Sequence, residues 1–377
     1  MMKEYPIITK RICRKNKAIR VNQKQARKQW KRVRGGTAKT RILKILPGLE
    51  AIPFVNLMED TDIVKNQNGK SQGSIRGTFT KEEFLGQLKE QSITGLSGDG
   101  FSTATKVESF LEAKKERKTL IVNGVECDPG LIHDQWLLQN HYQQICEGIR
   151  AVVKILGIKH VIVATKFLEK KEGMISFVRV PDQYPMGEEH LLIQFLTGVE
   201  LTRKQIPAKE GFLVLNVQTI YQINDMLHGK KHTGRFLTVS NLQTAQATVV
   251  RAPYSMRARD ILVAVYGEQQ ELTMYLGGGA MSAHRMDEQE LLTPKTNIIA
   301  YQSKVSYQNE QPCKGCGACT KRCPANLPVH KMIKAMEKGN WQEAKGMLQE
   351  RCMHCGTCSY YCHAGKNVME LIGSLND

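Results

Sequence analysis

Eight cysteines in the last 65 residues repeat one spacing, Cys313-x2-Cys316-x2-Cys319-x3-Cys323 and Cys352-x2-Cys355-x2-Cys358-x3-Cys362. Thiolates this close in a tight loop reach neighbouring irons of one cubane, and Gly315, Gly317 and Gly356 let the backbone turn around it. In two-cluster ferredoxins the fourth cysteine of each run ligates the other cluster. The spacing therefore predicts one [4Fe-4S] centre on Cys313, Cys316, Cys319 and Cys362, and a second on Cys352, Cys355, Cys358 and Cys323. Zinc, which takes four N/S ligands in a tetrahedron, is the competing reading, and the doubled run supplies too many close thiolates for one ion. A disulfide scaffold belongs to small secreted domains, and 377 residues suffice for an ordinary core.

Length and charge divide the chain further. Two or three domains are expected at this length. The net charge of +18 is uneven: residues 1–45 hold 16 Lys/Arg and one acid, while residues 46–377 hold 38 against 35. Residues 1–45 thus read as a basic tail, with an anionic membrane surface as the alternative to plain solvation. Nucleic acid is disfavoured, because only Trp30 is there to stack on a base and no recognition module is present. No run approaches the ~20 apolar residues of a membrane-crossing helix, and the first 30 residues lack the apolar centre of a signal peptide. The expected location is cytoplasmic, with the inner face of the membrane as the variant that the tail allows.

Between tail and clusters the pattern alternates strand and helix. Phe84–Leu88 has helical spacing, and a Gly-rich loop follows from Gly95 to Lys106. Apolar runs at 118–122, 161–164 and 211–217 read as strands, with a helix over 144–156 between the first two. The first strand ends in Asn123-Gly124-Val125-Glu126-Cys127-Asp128-Pro129, where open α/β sheets bind ligands. Past the strand region, Leu276-Gly277-Gly278-Gly279-Ala280-Met281 lacks the Lys-Ser/Thr of a phosphate loop. Helical spacing over 327–338 and 341–349 makes the cluster domain mainly helical.

Taken in order, the Gly-rich loop, the Asn-Gly-x-Glu-Cys-Asp-Pro loop, Tyr184-Pro185-Met186-Gly187-Glu188-Glu189, Leu196-Thr197-Gly198, Leu215-Asn216-Val217-Gln218-Thr219 and the doubled cluster run resemble the RnfC family of Rnf-type electron transport complexes. That family shares its flavin domain with the NADH-oxidising flavoprotein subunit of complex I. The resemblance implies an α/β flavin domain with a small β-grasp module, followed by the two-cluster ferredoxin domain. The expected boundaries are a tail at 1–45, a short remnant or linker at 46–75, the FMN/NADH-type domain at 76–230, the β-grasp module at 231–290 and the ferredoxin domain at 291–377.

The resemblance further implies FMN near Gly95, Gly98, Gly100, Phe101 and Lys106, with Asn123 and Glu126 beside the flavin, Gly187, Glu188 and Glu189 on the nicotinamide side, and Asn216 and Thr219 at the phosphate end. Glu126 and Glu188 are the residues expected to act in catalysis. The implied activity is an NADH-dependent oxidoreductase subunit that passes electrons through FMN and two [4Fe-4S] clusters to a redox partner protein or to membrane complex subunits. A flavin-less relay, or a dedicated donor to a cobalamin- or proline-reductase-type enzyme, is the alternative. This chain carries Ser97, Asp99 and Ser102 where the family loop has Gly, Ala and Pro. A carboxylate ~4 Å from a phosphate costs on the order of 4 kcal/mol at an effective dielectric of about 20, so the orientation of Asp99 is decisive.

Overall fold

A computed structural model describes residues 50, 51, 53–58, 79–128, 130–182, 184–241, 246–268, 272–279, 281, 284–285, 287, 289–303, 311–348 and 351–375. The basic tail and most of the expected linker lie outside the described residues. Two short strands, β1 (Glu50–Ala51) and β2 (Val55–Asn56), precede α1 (Lys81–Glu90), the first helix among the described residues. That helix starts where Thr80 and Glu83 form a reciprocal capping box, and it buries Phe84 and Leu88. The Gly-rich loop leads into α2 (Thr103–Glu112).

Strand β3 (Thr119–Gly124) is buried at every residue, as a central parallel strand covered on both faces must be. Consecutive side chains point to opposite faces. Leu120 and Val122 accordingly join the core beneath α2, α4 (Tyr142–Leu156) and α6 (Val217–Leu227), while Ile121 joins the core beneath α5 (Glu189–Thr197). The short helix α3 (His133–Asn140) comes between β3 and α4. Full burial of side chains of this size stabilises by about 1.5–3 kcal/mol each, so either face lost would unfold the layer.

The sheet is completed by β4 (His160–Thr165), β5 (Lys170–Glu172), β6 (Ile175–Arg179) and β7 (Phe212–Asn216), in the order β5-β6-β4-β3-β7. Only the β5-β6 pair is antiparallel. The chain leaves β3 to one side for β4 and β6 and returns on the other side as β7. That reversal opens a crevice at the carboxyl ends of β3 and β7, where Asn123 and Asn216 are register partners.

A second, mixed sheet follows. Strands β8 (Gly234–Asn241) and β9 (Gln246–Pro253) pair antiparallel, and α7 (Ala258–Tyr266) packs Ile261 and Leu262 against Leu237, Val239 and Val250. Beyond β10 (Leu272–Gly277) and β11 (His284–Arg285), β12 (Ile298–Ser303) lies parallel to β8, past the expected boundary at 290. Strands β1 and β2 join β9 from the segment expected to be a linker. The cluster segment is helical: α8 (Ala318–Arg322), α9 (Val329–Glu337), α10 (Trp341–Leu348), α11 (Thr357–Tyr360) and α12 (Val368–Gly373). Among the described residues no helix is long and apolar enough to cross a membrane.

Candidate functional site

A cavity of about 290 Å³ occupies the crevice at β3 and β7. It is lined by Gly95, Lys106, Asn123, Glu189, Asn216 and Thr219, all expected from the sequence, together with Ser97, Thr103, Val214 and Leu215. Two helices begin there. Ser102 caps α2 by accepting from the Thr105 N–H, and Asn216 caps α6 by accepting from the Gln218 N–H. Their amino ends bring positive partial charge and N–H donors to one place, which suits a phosphate. The buried Thr103 hydroxyl has no hydrogen-bond partner among the described residues. An orphaned donor between two helix ends and a lysine fits an anionic, phosphate-bearing group such as FMN.

Lys106 forms an ion pair with Glu189 across the cavity. The Thr219 hydroxyl accepts from Leu96 N and donates to Thr94 O, tying the Gly-rich loop to α6. Asp99 is exposed and does not line the cavity. Its Oδ1 accepts from Phe101 N at 3.3 Å, within its own loop. The two other departures are also accommodated, since Ser97 is at the rim and exposed, and Ser102 supplies the helix cap.

Other expected residues lie elsewhere. Gly98, with φ of 107°, faces Gly278: a Cβ on it would come within 3.0 Å of the Gly278 Cα, so the glycine serves loop-to-sheet contact. Gly100 lies against the Lys295 side chain, and Phe101 is 48% exposed. Gly187 accepts from Asn123 Nδ2 at 2.9 Å and donates its N–H to Cys127 Sγ at 3.1 Å. Burial pushes the Cys127 thiol up to about 12, so it stays protonated.

Glu126 is buried and caps α3, accepting from Asp134 N at 2.9 Å and Gln135 N at 3.2 Å. The helix has no cap of its own because Ile132 precedes it. Burial raises the Glu126 and Asp134 carboxyls, and Glu126 raises Asp134 further. Asp134 reaches the cavity indirectly, its Oδ2 accepting from Asn216 Nδ2 at 2.7 Å. Beside them the buried Arg235 donates to Leu96 O and Phe236 O, holding the Gly-rich loop to the second sheet. His133, Asp134 and Arg235 are missed by sequence reasoning, because nothing in a run such as Arg-Phe-Leu-Thr-Val marks its arginine as buried.

Glu188 caps α5 and holds Arg203 through both oxygens. Burial alone would raise its carboxyl, but His190 and Arg203 outweigh that and hold it down to about 2. A depressed carboxylate gives its full stabilisation above its unfolded value of 4.5 and loses it as pH falls toward 2. The linked contribution is on the order of 3 kcal/mol. In acid titrations of tryptophan fluorescence, Glu188→Gln is expected to lose stability between pH 6 and pH 3 less steeply than the parent chain. Equal slopes would remove the assignment.

The ten cysteines among the described residues are all unbridged. Cys319 has Cys362 and Cys313 as near neighbours, whereas Cys358 has Cys355, Cys352 and Cys323. Burial and this mutual repulsion raise both groups. Thiols crowded at such cost suit a metal centre that takes them as thiolates. A cavity of about 310 Å³ is lined by Cys323, Cys352, Cys355 and Cys358 with Leu327, Val329 and Ile372 around them. Those four sulfurs in an apolar cradle fit an iron-sulfur cube. This second cysteine set faces the flavin-type domain: the Tyr184 hydroxyl donates to Cys355 O at 2.6 Å, and Met353 packs into the core under α5. Gly356, with φ of 71°, permits close packing against the second-sheet segment as well, since a Cβ there would lie 2.7 Å from Met281 O.

Two family models match the chain, the Nuo51 FMN-binding domain over residues 88–225 and a 4Fe-4S dicluster domain over residues 312–366. The RnfC protein of the ion-translocating oxidoreductase complex of Rhodobacter capsulatus is 29% identical over 279 residues, covering 70% of this chain and 53% of the relative. Its namesake from Vibrio cholerae is 28% identical over 266 residues, covering 66% and 34%. The chain thus spans about half the length, or less, of the curated relatives it matches. A crystal structure of an NAD+-reducing [NiFe]-hydrogenase aligns with a TM-score of 0.55 at 16% identity, covering 78% of this chain and 61% of that one, and shows likeness of fold alone. The likeness to the RnfC family and the three-part fold drawn from the motifs both hold.

Proposed function

We propose that this RnfC-like chain is an iron-sulfur flavoprotein that takes electrons from NADH and passes them to a redox partner. The observation that carries the reading is the convergence of Gly95, Lys106, Asn123, Glu189, Asn216 and Thr219 on one cavity at the switch point of the sheet. When bound, FMN supplies the exchange between two-electron hydride chemistry and one-electron steps, and the clusters supply single-electron relay. The chain's own residues do the rest. Lys106, the Thr103 hydroxyl and the amino ends of α2 and α6 hold the phosphate, while Asn123 and Asn216 orient the group at the strand ends. Glu189 keeps Lys106 over the cavity. Exposed Phe101, with Lys106 Nζ 6.0 Å from its ring centroid, offers a flat face at the mouth for the nucleotide donor.

The bond from Tyr184 to Cys355 holds the second cysteine set against the flavin-type domain. That set is the nearer centre in our reading, and Cys313, Cys316, Cys319 and Cys362 form the outer one. The relatives are named as parts of an ion-translocating complex; membership of such a complex at the inner face of a membrane belongs to the proposal.

An anaerobic absorbance spectrum of the reconstituted chain, before and after NADH, tests the reading. Flavin and cluster bands that bleach together on NADH addition are expected. Full iron with no flavin retained would replace it by the relay reading that Ser97 and Asp99 suggested, and bound flavin inert toward NADH would replace the donor.

A further inference from the structure

The cluster domain carries a charge pattern that cluster ligation does not require. From Pro312 to Lys334 there are five cations, Lys314, Lys321, Arg322, Lys331 and Lys334, and no acid. Helix α9 explains how they are displayed. Val329, Met332, Ile333 and Met336 bury one face in the domain core, which leaves Lys331, Lys334 and Lys338 exposed along the other. The stripe meets the first cluster loop, for a Cβ on Gly315 would lie 2.8 Å from Lys334 Nζ. The next acid, Glu337, is occupied: it accepts from Cys313 N at 3.0 Å and pairs with Lys366 at 3.0 Å. Of the eight cluster cysteines, only Cys316 is exposed, and it lies in this same loop.

We infer that the face formed by the Cys316 loop and the Lys331–Lys334–Lys338 stripe docks an acidic one-electron carrier protein. The inference rests on the electron-transfer reading above and adds the place of exit and the partner's chemistry. Charge complementarity selects the occupant: an exposed patch of one sign steers a partner of the other and raises its association rate by about 10–10³ at low salt. Neutralising the outer centre is the competing role. It would call for lysines turned toward the sulfurs, whereas Lys331 and Lys338 are exposed on the solvent side of α9. An anionic lipid surface shares the sign but accepts no electron from the one exposed ligand.

The test uses the full, iron-loaded chain and an acidic plant-type [2Fe-2S] ferredoxin as probe. Stopped-flow measures one-electron transfer from the dithionite-reduced chain, each event oxidising one cluster and reducing one [2Fe-2S] centre. K331E/K334E/K338E is compared with K114E/K154E/K159E, which reverses three exposed lysines of the flavin-type domain and leaves the basic tail equally present. The patch variant is expected to transfer at least tenfold more slowly at low salt, with a flattened dependence on ionic strength, and the control to match the parent. Equal rates in the two variants would overturn the inference, as would retention on phosphatidylglycerol vesicles tighter than by the ferredoxin and lost only in the patch variant. Iron content checks the competing role: iron lost from both the Glu and the milder Gln triple variants would make the lysines supports of the centre, and the inference would fall. No step involves NADH or FMN. A chain inert toward NADH that still shows patch-dependent transfer to ferredoxin sinks the donor reading and keeps the docking face.

Discussion

Replacing Cys362 by Ser is expected to strip the centre held by Cys313, Cys316 and Cys319, and to leave the centre built on Cys352, Cys355 and Cys358 intact. Iron should fall from about eight atoms per chain to about four. Cys323→Ser should do the converse and remove the centre nearer the flavin-type domain. The reason is the neighbourhood of each sulfur: Cys319 faces Cys362, while Cys358 faces Cys323. Crossed ligation makes a further statement that simple loss of iron does not. Adding Cys316→Ser to Cys362→Ser should cost no more iron, whereas adding Cys355→Ser should take nearly all that remains. If Cys362→Ser and Cys355→Ser together retain one whole centre, each run holds its own cluster and the crossing is wrong.

The second large effect concerns the cavity. Lys106→Glu places a carboxylate beside Glu189, where the lysine now pairs with it, and turns an attraction for phosphate into a repulsion. At ~4 Å and an effective dielectric of about 20 the change of sign is worth several kcal/mol, so FMN affinity should fall by roughly 10²–10³ after partial screening. Asp99→Asn is expected to change it by less than about threefold, because that carboxylate is exposed and bonded within its own loop. Quenching of flavin fluorescence on titration with the iron-loaded, flavin-free chain reads both. A gain of tenfold or more in Asp99→Asn would show that the carboxylate faces the phosphate after all, and an unchanged Lys106→Glu would move the phosphate elsewhere.

How far the sequence reached can be followed residue by residue. Asn123 and Asn216 were legible as polar residues ending apolar strands, and the sheet places them side by side. Lys106 was legible from the resemblance, but its pairing with Glu189, 83 residues away, was not. Glu126 stood out as an acid after a strand, and the structure uses its carboxylate to cap a helix. Gly98 and Gly100 came from a loop motif, yet they lie against Gly278 and Lys295 of a distant segment. A motif records which residues are present; which of them face the ligand depends on what packs behind the loop.

The spacing of the cysteines, the strand runs and the amphipathic helices were set by the sequence alone, because each rests on residues within one or two turns of chain. Tertiary structure decided the rest: that the chain reverses at β3 to open a cavity, that Asp99 is exposed and bonded to Phe101 N within its own loop, that the second cysteine set meets Tyr184, and that Cys316 is left exposed among lysines. Those outcomes depend on contacts between segments far apart in the chain. No local pattern encodes them, since the same loop or helix can present any of its faces until a neighbour buries one.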